Sequence, residues 1–109
     1  MVIPKKMEKT IIFYTVHIYI ECAIAQEWQD WMIRVHIPDV MRTRCFDGSQ
    51  ITALVEPIKE GYQGFQIQYK TTSQRFLAYQ TNFAARLQKE HTEKYEGRFS
   101  ASRFITKNI

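Results

Sequence analysis

Residues Thr10 to Cys22 follow a pattern with a period of two residues. One set comprises Ile12, Tyr14, Val16, Ile18, Ile20 and Cys22, and the other comprises Phe13, Thr15, His17, Tyr19 and Glu21. A period of two residues, with so many β-branched and aromatic side chains, is typical of a β-strand with one buried face. The pattern therefore predicts a first strand whose isoleucine-rich set faces the interior.

The spacing then changes to that of a helix. From Ile24 to His36 the apolar stripe consists of Ile24, Trp28, Trp31, Met32 and Val35. These positions lie on one face of an α-helix. Pro38 disfavours the helical conformation of the residue before it, so we expect the helix to end or kink near His36, with Pro38 beginning a further short turn.

The rest of the chain predicts three strands and one long helix. The strands are Gln50–Pro57, Gly64–Thr71 and Arg98–Thr106, and the helix runs from an N-cap at Ser73 to about Tyr95, with Gly97 as its stop signal. The order βαββαβ predicts a ferredoxin-like α+β sandwich, a four-stranded antiparallel sheet with two helices on one face.

Length and composition limit the possible classes of protein. We expect residues 10–109 to form one domain and residues 1–9 to be a flexible basic tail, with Met1 or Met7 as the start. A hydrophobic fraction of 45% excludes intrinsic disorder. The 15 basic and 11 acidic residues leave a net charge of +4, half of it in residues 1–9, which does not indicate nucleic-acid binding.

The two cysteines, Cys22 and Cys45, form no disulfide framework, and a reducing cytoplasm is the expected location. Lys5 and Lys6 before the apolar run superficially resemble a secretory signal, but the alternation favours a strand. No apolar stretch approaches the roughly 20 residues that a membrane span needs.

Two helices cover only one face of the predicted sheet. The open face should carry Phe13, Thr15, His17 and Tyr19, with Gln66 and Gln68 from the third strand. We expect Arg103 on this face too, because burying it under the helices would be costly unless it were paired. A second copy related by twofold symmetry would cover such an aromatic face and form a barrel around a partly polar cavity. The alternative is a solvated sheet face.

Several motifs have a familiar order and spacing. They are Trp28-x-x-Trp31-Met32, His36-Ile37-Pro38-x-Val40, Phe83-Ala84 with Leu87 and Glu90-His91, Tyr95-x-Gly97-x-Phe99, and Arg103. Together they resemble a bacterial family known as domain of unknown function 4286. The resemblance implies a dimeric α+β barrel of ferredoxin-like fold and no known activity. Arg44 departs from the glycine expected before the second strand, so the turn there is expected to be built differently. The wider superfamily includes monooxygenases, haem-degrading enzymes, isomerases and ligand sensors, and fold does not choose among them.

Three histidines are the candidates for catalysis: His36, His17 and His91. His36, at the edge of the first helical stripe, could line a pocket as a general base, or could cap the helix carbonyls. His91 corresponds by analogy to an iron-ligating helix histidine of haem-handling relatives. The alternative for His91 is a local hydrogen bond to Glu90, Tyr95 or the backbone.

The predicted ligand-binding set is His17, Tyr19, Gln66, Gln68 and Arg103, and the alternative for these residues is a polar dimer interface. We expect no metal site, because the histidines would have to converge without a metal-binding motif, and no tightly bound cofactor. The sequence thus predicts a homodimer that binds a small aromatic or anionic molecule in a cavity on the open sheet face. The alternatives are a cofactor-independent monooxygenase or isomerase that uses a histidine for proton transfer, and a structural partner protein.

Overall fold

The computed structural model of the chain describes residues 10–109, which contain a four-stranded antiparallel sheet. The strands are β1 (Ile11–Glu21), β2 (Gly48–Ala53), β3 (Tyr62–Thr72) and β4 (Phe99–Lys107), in the spatial order β2-β3-β1-β4. This order and the helices between the strands confirm the predicted ferredoxin-like α+β fold. The predicted tail, residues 1–9, lies outside the described residues.

The first helical layer runs without interruption past Pro38. A 3-10 turn at Cys22–Ile24 leads into α1 (Ala25–Trp31), a π-helical turn at Met32–His36 and α2 (Ile37–Arg42). The helix therefore does not end at His36, which corrects one of the two expected outcomes, whereas Pro38 lies in the first turn of the short helix α2, as expected. The Ile37 N–H bonds to the Met32 carbonyl five residues earlier, and this wider turn allows the chain to continue as a helix through the proline.

The helix ends in the turn where the family resemblance leads us to expect a glycine. Arg44 occupies that position with φ +61°, in the left-handed conformation that glycine adopts most easily, and its N–H bonds to the Met41 carbonyl at 3.1 Å. An arginine adopts the glycine-like conformation there.

The second helical layer contains two helices where the sequence predicts one. They are α3 (Ser73–Asn82) and α4 (Ala84–Tyr95), separated by Phe83 at φ −130°. The N-cap is Thr72 rather than Ser73, because the Thr72 hydroxyl accepts the Arg75 N–H. Within residues 10–109, no helix has the length and apolar character needed to cross a membrane.

The strand pairing places the predicted interior set of β1 under the helices, except for Cys22, which lies beyond the strand and is exposed. Ile12, Tyr14, Val16, Ile18 and Ile20 are all buried, together with Phe65, Ile67 and Tyr69 of β3 and Trp28, Met32, Val40, Leu87 and Tyr95 of the helices. This face forms the core. The other face of the sheet is called the open face below.

Arg103 lies on the helix side of the sheet, which corrects its predicted place beside His17. It pairs directly with Val16, and directly paired residues point to the same face, whereas Ser102 pairs with His17. The expectation assumed that the helices would bury Arg103 completely. However, β4 is an edge strand, and Arg103 stays exposed enough for its charge to remain hydrated.

Candidate functional site

Two of the three candidate histidines meet between the helices and the sheet. His36 ends the π-helical turn and His91 lies on α4, and their ring centroids are 5.7 Å apart. His17 lies on the open face, where its Nε2 is 2.9 Å from the Gln66 Oε1 and its ring contacts Phe104 edge-on. The candidate site is therefore built around His36 and His91 without His17.

His91 is held in its neutral form by a partner far away in the sequence. The Trp28 Nε1–H donates to the His91 Nε2 at 2.9 Å, so the proton of the neutral ring is on Nδ1. Burial lowers the pKa of His91 to about 4, and positive charge on His36 and Arg103 acts in the same direction. The local partners expected from the sequence are replaced by Trp28. This bond also occupies the Nε2 lone pair that an iron ligand would need.

His36 has an unsatisfied ring nitrogen. Its ring stacks on Trp31 at a centroid distance of 5.4 Å, and among residues 10–109 its buried Nδ1 has no hydrogen-bond partner. Burial lowers the pKa of His36, while the carboxylates of Asp39 and Glu90 oppose that shift. Because the helix continues to Arg42, the alternative role of His36 as a C-terminal cap is wrong. The free nitrogen is available to bind a ligand atom.

Arg103 and Tyr14 supply the other polar groups of the site. The Arg103 Nε–H donates to the Tyr14 hydroxyl oxygen at 3.2 Å, so Tyr14 can use its own proton for a further hydrogen bond. Tyr79 packs beside Tyr14, and burial raises the pKa of Tyr79, so that its phenol stays protonated. The Arg103–Tyr14 pair is the polar group that concerns the site. The pair thus presents a guanidinium and a phenol together, both hydrogen-bond donors.

These side chains line a cavity of about 30 Å³ between helices and sheet. The cavity is lined by Tyr14, Val16, Ile18, Met32, His36, Val40, Ile67, Tyr69, Tyr79, Gln88, His91 and Arg103. A cleft of about 400 Å³ adjoins it and is lined by Tyr14, Phe76, Tyr79, Gln80, Ala84, Ala85, Gln88, Arg103 and Ile105. Four residues line both spaces, and we call this shared boundary the neck: Tyr14, Tyr79, Gln88 and Arg103. We call the cavity and cleft together the helix–sheet pocket.

The predicted ligand-binding residues of the open face are hydrogen-bonded within the protein. His17 pairs with Gln66, the Gln68 amide donates to the Thr15 hydroxyl at 3.2 Å, and the Tyr19 hydroxyl donates to the Pro57 carbonyl at 2.7 Å. The structure therefore brings these four predicted residues to one face and leaves Arg103 on the other.

Sequence analysis missed Tyr14, Tyr79 and Gln88 as site residues. Both tyrosines lie on core-facing positions, at which they were interpreted as apolar packing. A hydroxyl in such a position needs a polar partner, and this requirement was the available signal. Gln88 gave no such signal. Among residues 10–109, no three His, Cys, Asp or Glu side chains are grouped closely enough to hold a metal ion.

Several solved structures share this fold. A dimeric ferredoxin-like protein from an uncultured marine organism has a TM-score of 0.66 at 10% identity, covering 92% of this chain and 95% of that one. An ethyl tert-butyl ether D family protein from Bacillus halodurans has a TM-score of 0.63 at 11% identity, covering 90% and 99%. Hydroxynitrile lyase from Passiflora edulis has a TM-score of 0.59 at 11% identity, covering 92% and 96%. At these identities the likeness shows the fold alone.

No curated protein sequence matches the chain significantly. The model of one family, the domain of unknown function DUF4286, matches residues 11–109, nearly the whole chain. This match confirms the resemblance carried by the tryptophan, histidine and Gly97 motifs. The chain belongs to the DUF4286 family.

Proposed function

We propose that the protein is a homodimer that binds a small anionic, aromatic molecule in the helix–sheet pocket. The observation that carries the proposal is the Arg103 guanidinium at the neck of this pocket, held by Tyr14 and followed inward by the half-buried His36, whose Nδ1 is buried and unpaired. A guanidinium beside further donors recognises a carboxylate well.

The lining of the pocket favours the same ligand class. Among the described residues, no carboxylate side chain lines either the cavity or the cleft, so Arg103 is not neutralised there. Tyr14, Phe76 and Tyr79 offer flat apolar surfaces in the cleft, which suit an aromatic body. The ligand would place its ring in the cleft and pass its charged end through the neck into the cavity, which Arg103 and His36 both line.

The test is a binding comparison by ligand-observed NMR between benzoate or phenylacetate and the uncharged amides of the same acids. We expect the carboxylates to bind and the amides to bind at least about tenfold more weakly. Arg103→Met should weaken carboxylate binding by at least about tenfold, which corresponds to 1.4 kcal/mol. Arg34→Met removes an arginine from the exposed surface of the π-helical turn and is the matched control. Equal binding of acids and amides, or full affinity in Arg103→Met, would overturn the assignment.

The open face is the proposed dimer interface. It is flanked by two unpaired sheet edges, β2 and β4, so a second copy placed on it by a twofold axis can bring β2 of one copy to β4 of the other. Phe104 on this face is 46% exposed, and Val55 and Ile58 in the adjoining loop are 84% and 85% exposed. The description of one similar structure as dimeric supports the proposal.

Sedimentation velocity tests this interface. Ser102 is exposed on the open face opposite His17, so Ser102→Arg should convert a dimer to a monomer without disturbing the fold. Thr92→Arg, on the exposed side of α4, is the matched control and should remain dimeric. A dimer of unchanged stability in Ser102→Arg would place the interface elsewhere.

A further inference from the structure

The polar groups of the helix–sheet pocket have complementary chemistry for moving a proton. His36 offers a nitrogen lone pair, whereas the neck offers the N–H groups of Arg103 and the O–H of Tyr14. All three line the same cavity of about 30 Å³, so a small group placed there contacts a base and hydrogen-bond donors together. Groups of this kind, arranged around one carbonyl group, are what enolisation requires.

We propose that the pocket catalyses keto–enol proton transfer on a small aromatic 2-oxo acid or related carbonyl compound, with His36 as the base and Arg103 and Tyr14 as the oxyanion donors. This inference rests on the proposed function, since it uses the same pocket and the same ligand class. It adds a reaction and a role for each polar group.

The reaction needs no oxidant or cofactor. The His36 Nδ1 removes a proton from the carbon next to the carbonyl group, and the C–H electron pair becomes the C=C bond. The carbonyl π electrons move to the oxygen, which the Arg103 N–H and the Tyr14 O–H stabilise as an enolate. The imidazolium then returns the proton to oxygen, giving the enol, or to carbon, giving the ketone.

The surroundings of His36 suit a base that works at neutral pH. Burial favours the unprotonated ring, and the Asp39 and Glu90 carboxylates stabilise the positive charge that it acquires during the reaction. Arg103 opposes that charge, and it is the group that stabilises the enolate. His91, held neutral by Trp28, adds no second cation beside His36.

Phenylpyruvate is the probe that tests the proposal, because it combines an aromatic ring, a carboxylate and an acidic C–H beside a carbonyl group. The exchange of its methylene protons for deuterium in D₂O is followed by proton NMR, and its binding is measured in the same samples by line broadening. We expect the protein to accelerate exchange, and His36→Gln to lose at least about 100-fold of that acceleration while binding stays within about threefold. Arg34→Gln, on the exposed surface of the π-helical turn, should exchange at the parent rate.

The pH profile separates a base from a merely structural histidine. Because burial lowers the pKa of His36, the exchange rate should fall as acid protonates the ring, and this fall should be centred below the ordinary histidine value of 6.5. Binding of phenylpyruvate without accelerated exchange, or equal acceleration in His36→Gln, would overturn the catalytic inference and leave the binding proposal intact. If no carboxylate of the panel binds, both fail.

Discussion

Acid should destabilise the folded chain through His91. This side chain is 6% exposed and accepts the Trp28 N–H, so the folded protein holds it neutral. Its pKa falls from the ordinary 6.5 to about 4 on folding, mainly because of burial. Between these two values the unfolded chain binds a proton that the folded protein refuses. The free energy of unfolding is therefore highest above pH 6.5 and decreases as the pH falls toward 4.

The size of the effect follows from the shift. Each pKa unit corresponds to about 1.4 kcal/mol, so the His91 contribution to stability decreases by about 3 kcal/mol across this window. That loss is a large share of the roughly 5–15 kcal/mol that stabilises a domain. His36, whose pKa burial also lowers, adds to the loss in the same direction.

Urea unfolding followed by circular dichroism, between pH 4 and 8, measures this dependence. His91→Gln retains an amide oxygen that can accept the Trp28 N–H but binds no proton, so the slope against pH should decrease by up to about 1.4 kcal/mol per unit. Thr92→Gln, on the exposed side of the same helix, is the control and should keep the parent slope. An unchanged slope in His91→Gln would refute the reasoning, because another group would then be responsible for the acid sensitivity.

Three further substitutions test the fold by denaturant unfolding. Gly64→Ala places a Cβ 2.8 Å from the Tyr19 ring and should lower the free energy of unfolding by about 1–3 kcal/mol. Gly48→Ala is the control, because a Cβ at that position has no atom of a non-adjacent residue within 4 Å. Equal losses of stability in the two variants would contradict the close packing at Gly64. Arg44→Gly relieves a left-handed conformation and should gain about 0.5–1 kcal/mol, so a loss would contradict that conformation. Thr71→Val removes a buried hydroxyl that donates to a backbone carbonyl and should lose about 1–3 kcal/mol, and an unchanged stability would show that this bond contributes nothing.

The sequence predicts best those elements in which buried and exposed residues alternate with a regular period along the chain. The alternation in β1 identifies its buried face, because successive side chains of a strand always point to opposite faces of the sheet. The rule for proline is local too, and it fails at Pro38. There Met32 and Val40 are both buried against the sheet, and keeping both in the core favours a widened helical turn over a break.

The site depends on information that local patterns do not contain. The partner of His91 is Trp28, 63 residues earlier, and no periodicity connects the two. The place of Arg103 depends on how far the helices extend over an edge strand, which composition does not specify. His36 and His91 could therefore be predicted as single candidates, but their contact with each other exists only in the folded chain.

Strand β1 has a consequence for how the sequence can change. Alternate residues of this one strand serve the pocket, through Tyr14, and the open face, through Thr15 and His17. A one-residue insertion or deletion within it would exchange the two sets, so length variation in the family should be confined to the loops around β1. Substitutions in β1 are not restricted in this way, because the even-numbered residues contact the core and pocket and the odd-numbered residues contact the open face. Under the proposed function, relatives can therefore diverge in what the pocket binds while keeping the same dimer interface.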